Sequence, residues 1–355
     1  MRRSASILLV VLTAAACGRR GESALPGAES STAGQGSADA ATAEHADPGE
    51  PPAAGFAAID TADLHARLAF YASDLLEGRQ AGTRGAELAA AYIASELAAI
   101  GLEPAGDDGT YVQAFPMAGF GGPSLSDSSA NVVAILRGAD PALADEFVAL
   151  GAHYDHVGVG APVAGDSIYN GADDDGSGTV ALLELAEALA GNPPPGRSVL
   201  FVFHGAEEAG LVGSFYYTAH PTVPLESIVA QLNMDMLGRN SPDSLFVIGA
   251  GRISSELDRI VSEAAEETGL ALDYTLDAPD HPEQLYTRSD HFNYARFGIP
   301  VAFVFAGLHE DYHQPSDEVE KIDFVKLERV AELVYRIAWE LATRPEPPAR
   351  DRLQG

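Results

Sequence analysis

The sequence predicts an α/β domain: a mixed, largely parallel sheet flanked by helices on both faces. Three observations predict it. Six short runs are continuously apolar rather than alternating: "NVVAIL" (131–136), "EFVALGAH" (146–153), "SVLFVFHG" (198–205), "IVAQLNMD" (228–235), "SLFVIGA" (244–250) and "VAFVFAG" (301–307). Unbroken Val, Ile and Phe runs of this length read as strands covered on both faces, as parallel sheets are. Helical periodicity separates several of them, in "TVALLELAEALA" (179–190) and "ISSELDRIVSEAAEETG" (253–269), and follows the last in "FVKLERVAELVYRIAWELAT" (324–343). That alternation places helices on both sides of one sheet, and a 46% hydrophobic content is ample to fill the layers between.

Taken from the N-terminus, "MRRSASILLVVLTAAAC" carries Arg2 and Arg3, an apolar run from Ile7 to Leu12, and small residues up to Cys17. This predicts an export signal over 1–17, too short to span a bilayer. Cys17 is the single cysteine of the chain. It falls where the signal would be cut and resembles a bacterial lipobox, with Ala14 at the place where such boxes usually carry Leu. The expectation is therefore an exported protein, periplasmic or cell-surface, touching the membrane only through a lipid on Cys17; ordinary secretion is the alternative. Either way no thiol is left for a disulfide or a metal. Residues 18–55 are rich in Gly, Ala, Ser, Glu and Pro and predict a disordered linker. The domain is expected over 56–345, with a C-terminal tail at 346–355.

Within that domain "DTADLHARLAFYASDLL" and "GAELAAAYIASELAAIGL" have helical spacing, the second with Leu88, Tyr92, Ile93 and Leu97 along one stripe and Gly101 as its stop. A formal charge of −31, from 21 basic against 52 acidic residues, argues against nucleic-acid binding, which needs clustered Lys and Arg.

In open α/β sheets ligands bind beyond the carboxyl ends of the strands. The polar residues of this chain gather there. His153 ends the second run and Asp155 comes just after it, Glu207 and Glu208 follow the third, Asp235 ends the fourth and His313 lies beyond the sixth, while "NGADDDGSG" sets Asp173, Asp174 and Asp175 before a helix start. Three adjacent acids repel one another unless solvent or a cation screens them. Histidines and carboxylates converging without Cys suit Zn²⁺ or a similar cation. A pair of ions can share one carboxylate and acidify one water, leaving one of two adjacent glutamates free as a base.

"GAHYDHVG", "NGADDDGSGT", "HGAEEAGLVGS", "NMDMLG" and "DYHQPSD", in this order, resemble the M28 dizinc metallopeptidases, aminopeptidases of the Streptomyces and Vibrio type. The resemblance covers about residues 65–340. It implies the α/β/α sandwich of zinc peptidases, peptide substrates and two Zn²⁺ ions per subunit. It implies His153, Asp174 and Asp235 on one zinc and Glu208, His313 and Asp174 on the other, with Asp174 bridging. It further implies Glu207 as general base for a metal-bridging water, Asp155 orienting the ligating histidine, Tyr312 supporting the oxyanion, and a cis peptide between Asp174 and Asp175. The alternatives are a carboxypeptidase or dipeptidase reading a substrate carboxylate with Arg79, Arg239, Arg288 or Arg296, a single-zinc glutaminyl cyclase, or a noncatalytic binding module. His156, His204 and His291, near the rim, read as supporting partners of the ligands or as structural histidines, and His309 as a candidate for lining the pocket. Arg79 and Thr83 read as support for the site or for a helix start, and Asp290 as an unassigned acid beside it.

Overall fold

The computed structural model describes residues 49–117 and 126–353, all within one compact unit, Ala43–Gly355. The signal segment, Cys17 and the linker up to residue 48 lie outside the described residues. One turn of helix, α1 (Ala53–Phe56), straddles the expected boundary at 55. Helix α2 (Thr61–Tyr71) starts at Asp60, whose carboxylate accepts the N–H groups of Ala62 and Asp63. Helix α3 (Arg84–Ile100) starts at Thr83, whose side chain accepts the Ala86 N–H, and stops at Gly101 in the left-handed region, φ 91°.

The chain then forms β1 (Glu103–Pro104), β2 (Val112–Pro116), β3 (Ser128–Leu136), β4 (Phe147–His153) and a hairpin of β5 (Gly158–Val163) and β6 (Asp166–Tyr169). Helix α4 (Gly178–Ala190), β7 (Ser198–His204), α5 (Val212–Ala219), β8 (Ile228–Met234) and β9 (Ser244–Ile248) follow. The last part holds α6 (Ala250–Ile253), α7 (Ser255–Thr268), β10 (Ala271–Asp273), α8 (His291–Ala295), β11 (Val301–Phe305) and α9 (Phe324–Thr343). The main sheet runs β1-β3-β7-β4-β8-β11-β9-β10, with β2 also on β3. Its centre, β7-β4-β8-β11, is parallel throughout, and β3 and β9 join it antiparallel. The mixed sheet is thus as the sequence predicts.

Strand periodicity explains the continuous apolar runs. Val132 and Ala134 of β3 and Val199, Phe201 and Phe203 of β7 enter the core under α2, α3, α4, α7 and α9. Their neighbours Val133, Ile135, Leu200 and Val202 enter the core shared with Tyr217 of α5 and Tyr294 of α8. Both faces being covered, neither register of residues needs to be polar. Among the described residues no helix is long and apolar enough to cross a membrane.

Two helices depart from expectation. Helix α3 buries Ala86, Ala89, Ala90, Ile93 and Leu97, while Leu88 is 40% exposed. Ile93 and Leu97 of the expected stripe are buried and Tyr92 is half-buried, so only Leu88 departs. At the start of the helix the buried face carries small residues and approaches closely, since a Cβ on Gly85 would sit 1.9 Å from the Leu76 carbonyl oxygen. The helix expected over 253–269 divides at Ser254, which is extended and caps α7 by accepting the Leu257 N–H. If this packing is right, Ile93→Ala should cost about 2–5 kcal/mol in denaturant unfolding. Leu88→Ala should stay within about 0.5 kcal/mol.

Candidate metal centre

Because β7, β4, β8 and β11 are parallel and adjacent, the loops leaving their carboxyl ends share one rim. His153 is the last residue of β4, Asp235 follows β8 directly, Glu207 and Glu208 lie just past β7, and Tyr312 and His313 lie in the loop after β11. The irregular turn Ala172–Ser177 delivers Asp174 to the same rim. His153 Nε2 is 3.3 Å from Asp174 Oδ1 and 3.6 Å from Asp235 Oδ1. His313 Nε2 is 3.1 Å from Asp174 Oδ2 and 2.9 Å from Glu208 Oε1. The two oxygens of Asp174 therefore face two different sets of donors. Glu207 Oε2 is 4.0 Å from His153 Nε2, farther than either Asp174 or Asp235.

The flanking aspartates point elsewhere. Asp173 Oδ1 accepts the Gly238 N–H, 2.6 Å, and Asp175 accepts the N–H groups of His153, Gly178 and Met236. Asp317 accepts the N–H groups of Asp173 and Asp174 from behind. The Asp174-Asp175 peptide is cis. Asp235 Oδ2 accepts the Ser289 hydroxyl, which in turn accepts an N–H from Asn233. Asp175 also lies near His153 and Asp235, but its oxygens are engaged by three backbone N–H groups, so Asp174 is the carboxylate free to hold an ion.

In the protein alone these groups perturb one another strongly. Burial would raise the Asp174 carboxyl, yet contacts with His153, His156 and His313 hold it well below its usual range. Burial would lower His313, but Asp174 and Glu208 raise it to about 10. Burial pushes Glu207 well above the ordinary carboxylate range; His153 opposes this, while Glu208, Asp290 and Asp235 reinforce it. Asp174 Oδ2, Glu208 Oε1 and His313 Nε2 are buried without a hydrogen-bond partner among the described residues. Such atoms are costly unless something satisfies them. Two clusters of carboxylates and imidazoles lie here, His156, Asp174, Glu208 and His313 in one and His153, Asp175 and Asp235 in the other, and Asp174 reaches His153 with its second oxygen. These donors suit a pair of Zn²⁺-like ions, so the residues fit the implied cofactor.

Other expectations are corrected or sharpened. Asp155 does not meet His153 through its carboxylate: His153 Nδ1 faces the Asp155 main-chain oxygen at 3.2 Å. The carboxylate instead accepts the Glu207 N–H, 3.0 Å, because β4 and β7 are paired in parallel with His153 opposite His204, which sets their exits side by side. Tyr312 lines the cleft and stacks on His313 with ring centroids 3.9 Å apart. His309 turns away from the cleft toward Asp173 Oδ2, 3.2 Å away, so the second side of that acid draws it inward. His204 and His291 pack among aromatic rings as structural histidines. Asp290 is fully buried, with both carboxylate oxygens unpartnered among the described residues. His156 enters the site itself, and the signal for it was its place directly after Asp155 in "HYDH".

The sequence profile of Peptidase family M28 matches residues 131–338. A probable leucine aminopeptidase of Arthroderma benhamiae is 31% identical over 217 residues, 58% of this chain and 57% of the relative. Leupeptin-inactivating enzyme 1 of Streptomyces exfoliatus is 27% identical over 295 residues, 77% of this chain and 59% of that protein. The chain thus spans under two thirds of the length of these curated relatives. Among solved structures, the LapA aminopeptidase of Legionella pneumophila superposes with a TM-score of 0.64 at 22% identity, covering 82% of this chain and 75% of that one. BSAP, a zinc aminopeptidase from Bacillus subtilis, gives 0.64 at 17% identity, with 83% and 99% covered. These likenesses establish the α/β peptidase fold.

Stripping cations should leave the buried acids without their counter-charge. Chelator-treated protein is expected to melt below the zinc-restored protein in calorimetry, with a gap that grows with free zinc as mass action requires. Equal melting temperatures across a zinc titration would overturn the cation reading.

Proposed function

This chain belongs to peptidase family M28, and from that premise we propose that it is a zinc-dependent aminopeptidase that holds two cations. The observation that carries the proposal is Asp174, with one oxygen 3.3 Å from His153 and the other 3.1 Å from His313. His153, Asp174 and Asp235 would hold one ion; Asp174, Glu208 and His313 would hold the other. When bound, such ions supply Lewis acidity to the scissile carbonyl and make water a nucleophile near neutral pH.

The protein's own groups do the rest. Glu207 sits at the cleft, 4.0 Å from His153, and burial raises its proton affinity. It takes the proton from the attacking water and delivers it to the leaving amine. Asp155 fixes the Glu207 backbone by accepting its N–H. The Tyr312 hydroxyl, its pKa pushed up by burial and by nearby acids, stays protonated and donates to the developing oxyanion.

Substrate chemistry follows from the cleft walls. The cleft is lined by acids, which suit a free α-ammonium group, and by Met236, Leu285, Phe303, Phe305 and Leu308. An apolar N-terminal side chain fits those apolar residues, in keeping with the leucine aminopeptidase relatives. A carboxypeptidase needs a free cation for the substrate carboxylate. Arg79 is fully buried on four main-chain oxygens, Arg239 pairs with Asp311, and Arg296 bonds Asn293. Arg288 alone of the four lines the cleft, and it is paired with Glu283 at 2.6 Å. Two donor sets also favour a dinuclear enzyme over a single-zinc cyclase. The signal-like segment and Cys17 support export with a lipid anchor.

Leucyl anilide should be cleaved far faster than its N-acetylated form or a peptide with only its C-terminus accessible; equal rates would sink the aminopeptidase assignment. Glu207→Gln should lower kcat by about 10²–10⁴-fold while zinc content by mass spectrometry stays unchanged. Labelled palmitate should enter the exported protein and be lost in Cys17→Ser; an unlabelled wild type would remove the lipid anchor.

A further inference from the structure

The second donor set contains one more nitrogen than the family resemblance supplies. We propose that His156 Nδ1 is a fourth protein ligand of the ion held by Asp174, Glu208 and His313, an inference that rests on the metal reading above. His156 Nδ1 lies 3.0 Å from Glu208 Oε1 and 3.8 Å from Asp174 Oδ2. Its ring meets that of His313 edge-on, with centroids 5.5 Å apart.

His156 is completely buried, and neither ring nitrogen makes a hydrogen bond among the described residues. The facing atoms Asp174 Oδ2, Glu208 Oε1 and His313 Nε2 are in the same condition. These four atoms all lie within 4.8 Å of one another, and shared ligation of one cation would satisfy all of them. The spacing agrees: tetrahedral bonds of about 2.0–2.1 Å put donors about 3.3–3.4 Å apart, and the four histidine–carboxylate separations here run from 2.9 to 3.8 Å.

The ring is also held in place by backbone. The His156 N–H donates to the Arg79 carbonyl oxygen, 3.3 Å. Gly171, φ 58°, lets the ring pass, since a Cβ there would lie 2.5 Å from His156 Cγ and Cδ2. The residue that leads into the acid turn therefore has no side chain for a steric reason, and the freed space is filled by an imidazole. With His156 counted, the second set has four protein donors, while His153, Asp174 and Asp235 offer three. The three-donor set would then be the one with room for water or substrate, as catalytic sites with three protein ligands have.

The test is proton NMR of the protein loaded with two equivalents of Co²⁺. Each ligated imidazole contributes one exchangeable, hyperfine-shifted ring N–H, so three are expected, from His153, His156 and His313. Two such resonances would overturn the ligand assignment alone, whereas failure to take up cobalt at all would overturn the metal reading beneath it. His156→Asn keeps an N–H donor near the position of Nδ1. By competition with a chromophoric chelator it should weaken one of the two zinc equivalents by more than about 100-fold, beyond the about 10–100-fold typical of partners that only orient a ligand. Wild-type zinc affinity in that variant would reduce His156 to a hydrogen-bond partner of Glu208 and overturn the proposal.

Discussion

A carboxylate that is 3% exposed and must show its two oxygens to two different histidines cannot be held by its own rotamer alone. The chain on either side holds it. Asp175 accepts the N–H groups of His153 at the end of β4 and of Met236 past β8. Asp173 accepts that of Gly238, and Asp317, from the loop after β11, accepts those of Asp173 and Asp174. The turn is thus fastened to the exits of three parallel strands, and its geometry is fixed by the same elements that carry the other donors. Of three adjacent acids, two serve the backbone so that the middle one can serve the cleft.

The same arrangement sets the electrostatic problem. Asp174, Glu207, Glu208 and Asp235 crowd one narrow cleft of a chain with formal charge −31, and the nearby cationic side chains are committed elsewhere. Arg239 and Lys321 pair with Asp311, and Lys326 donates to the Arg239 main-chain oxygen. Arg288 lines the cleft but pairs with Glu283, so the histidines are left to moderate the acids, and they do so only by holding protons. Divalent cations resolve the conflict more completely, since they favour ionised carboxylates and neutral imidazoles together. Glu207, set back from the two donor sets, then remains as the group with a raised proton affinity.

Most of this was legible in the sequence, for a definite reason. Strands covered on both faces announce themselves as unbroken apolar runs, and β3, β4, β7, β8, β9 and β11 all did. Strands β1, β2, β5, β6 and β10 did not, because they are short or exposed and carry no such run. The donors were legible because each follows a strand that could be placed. Side-chain direction was not. The carboxylate of Asp155 turns to Glu207 rather than to His153, and His309 turns to Asp173 rather than to the cleft. The direction of His156 depends on Gly171, a contact that no local pattern around either residue encodes. Leu88 misled for a similar reason: near the start of α3 the buried face is the one that approaches closely at Gly85, and Leu88 lies off it.

The family match begins at residue 131, yet the site depends on chain that precedes it. Arg79 is completely buried, stacked on Tyr71 with its guanidinium carbon 4.5 Å from the ring centroid. Its guanidinium donates to the carbonyl oxygens of Tyr71, Tyr154, Asn170 and Gly171. Two of those carbonyls lie immediately before the acid turn, and a third lies between His153 and Asp155. The main-chain oxygen of Arg79 itself accepts the His156 N–H. A buried cation is unfavourable unless its donors are satisfied, and here the donors find carbonyls from both loops that carry histidine and aspartate. One residue from the upstream segment therefore fixes the loop after β4 relative to the turn before α4, which sets the distance between His153, His156 and Asp174. The helices and loops before β3 are part of the machinery of the site rather than an appendage to it.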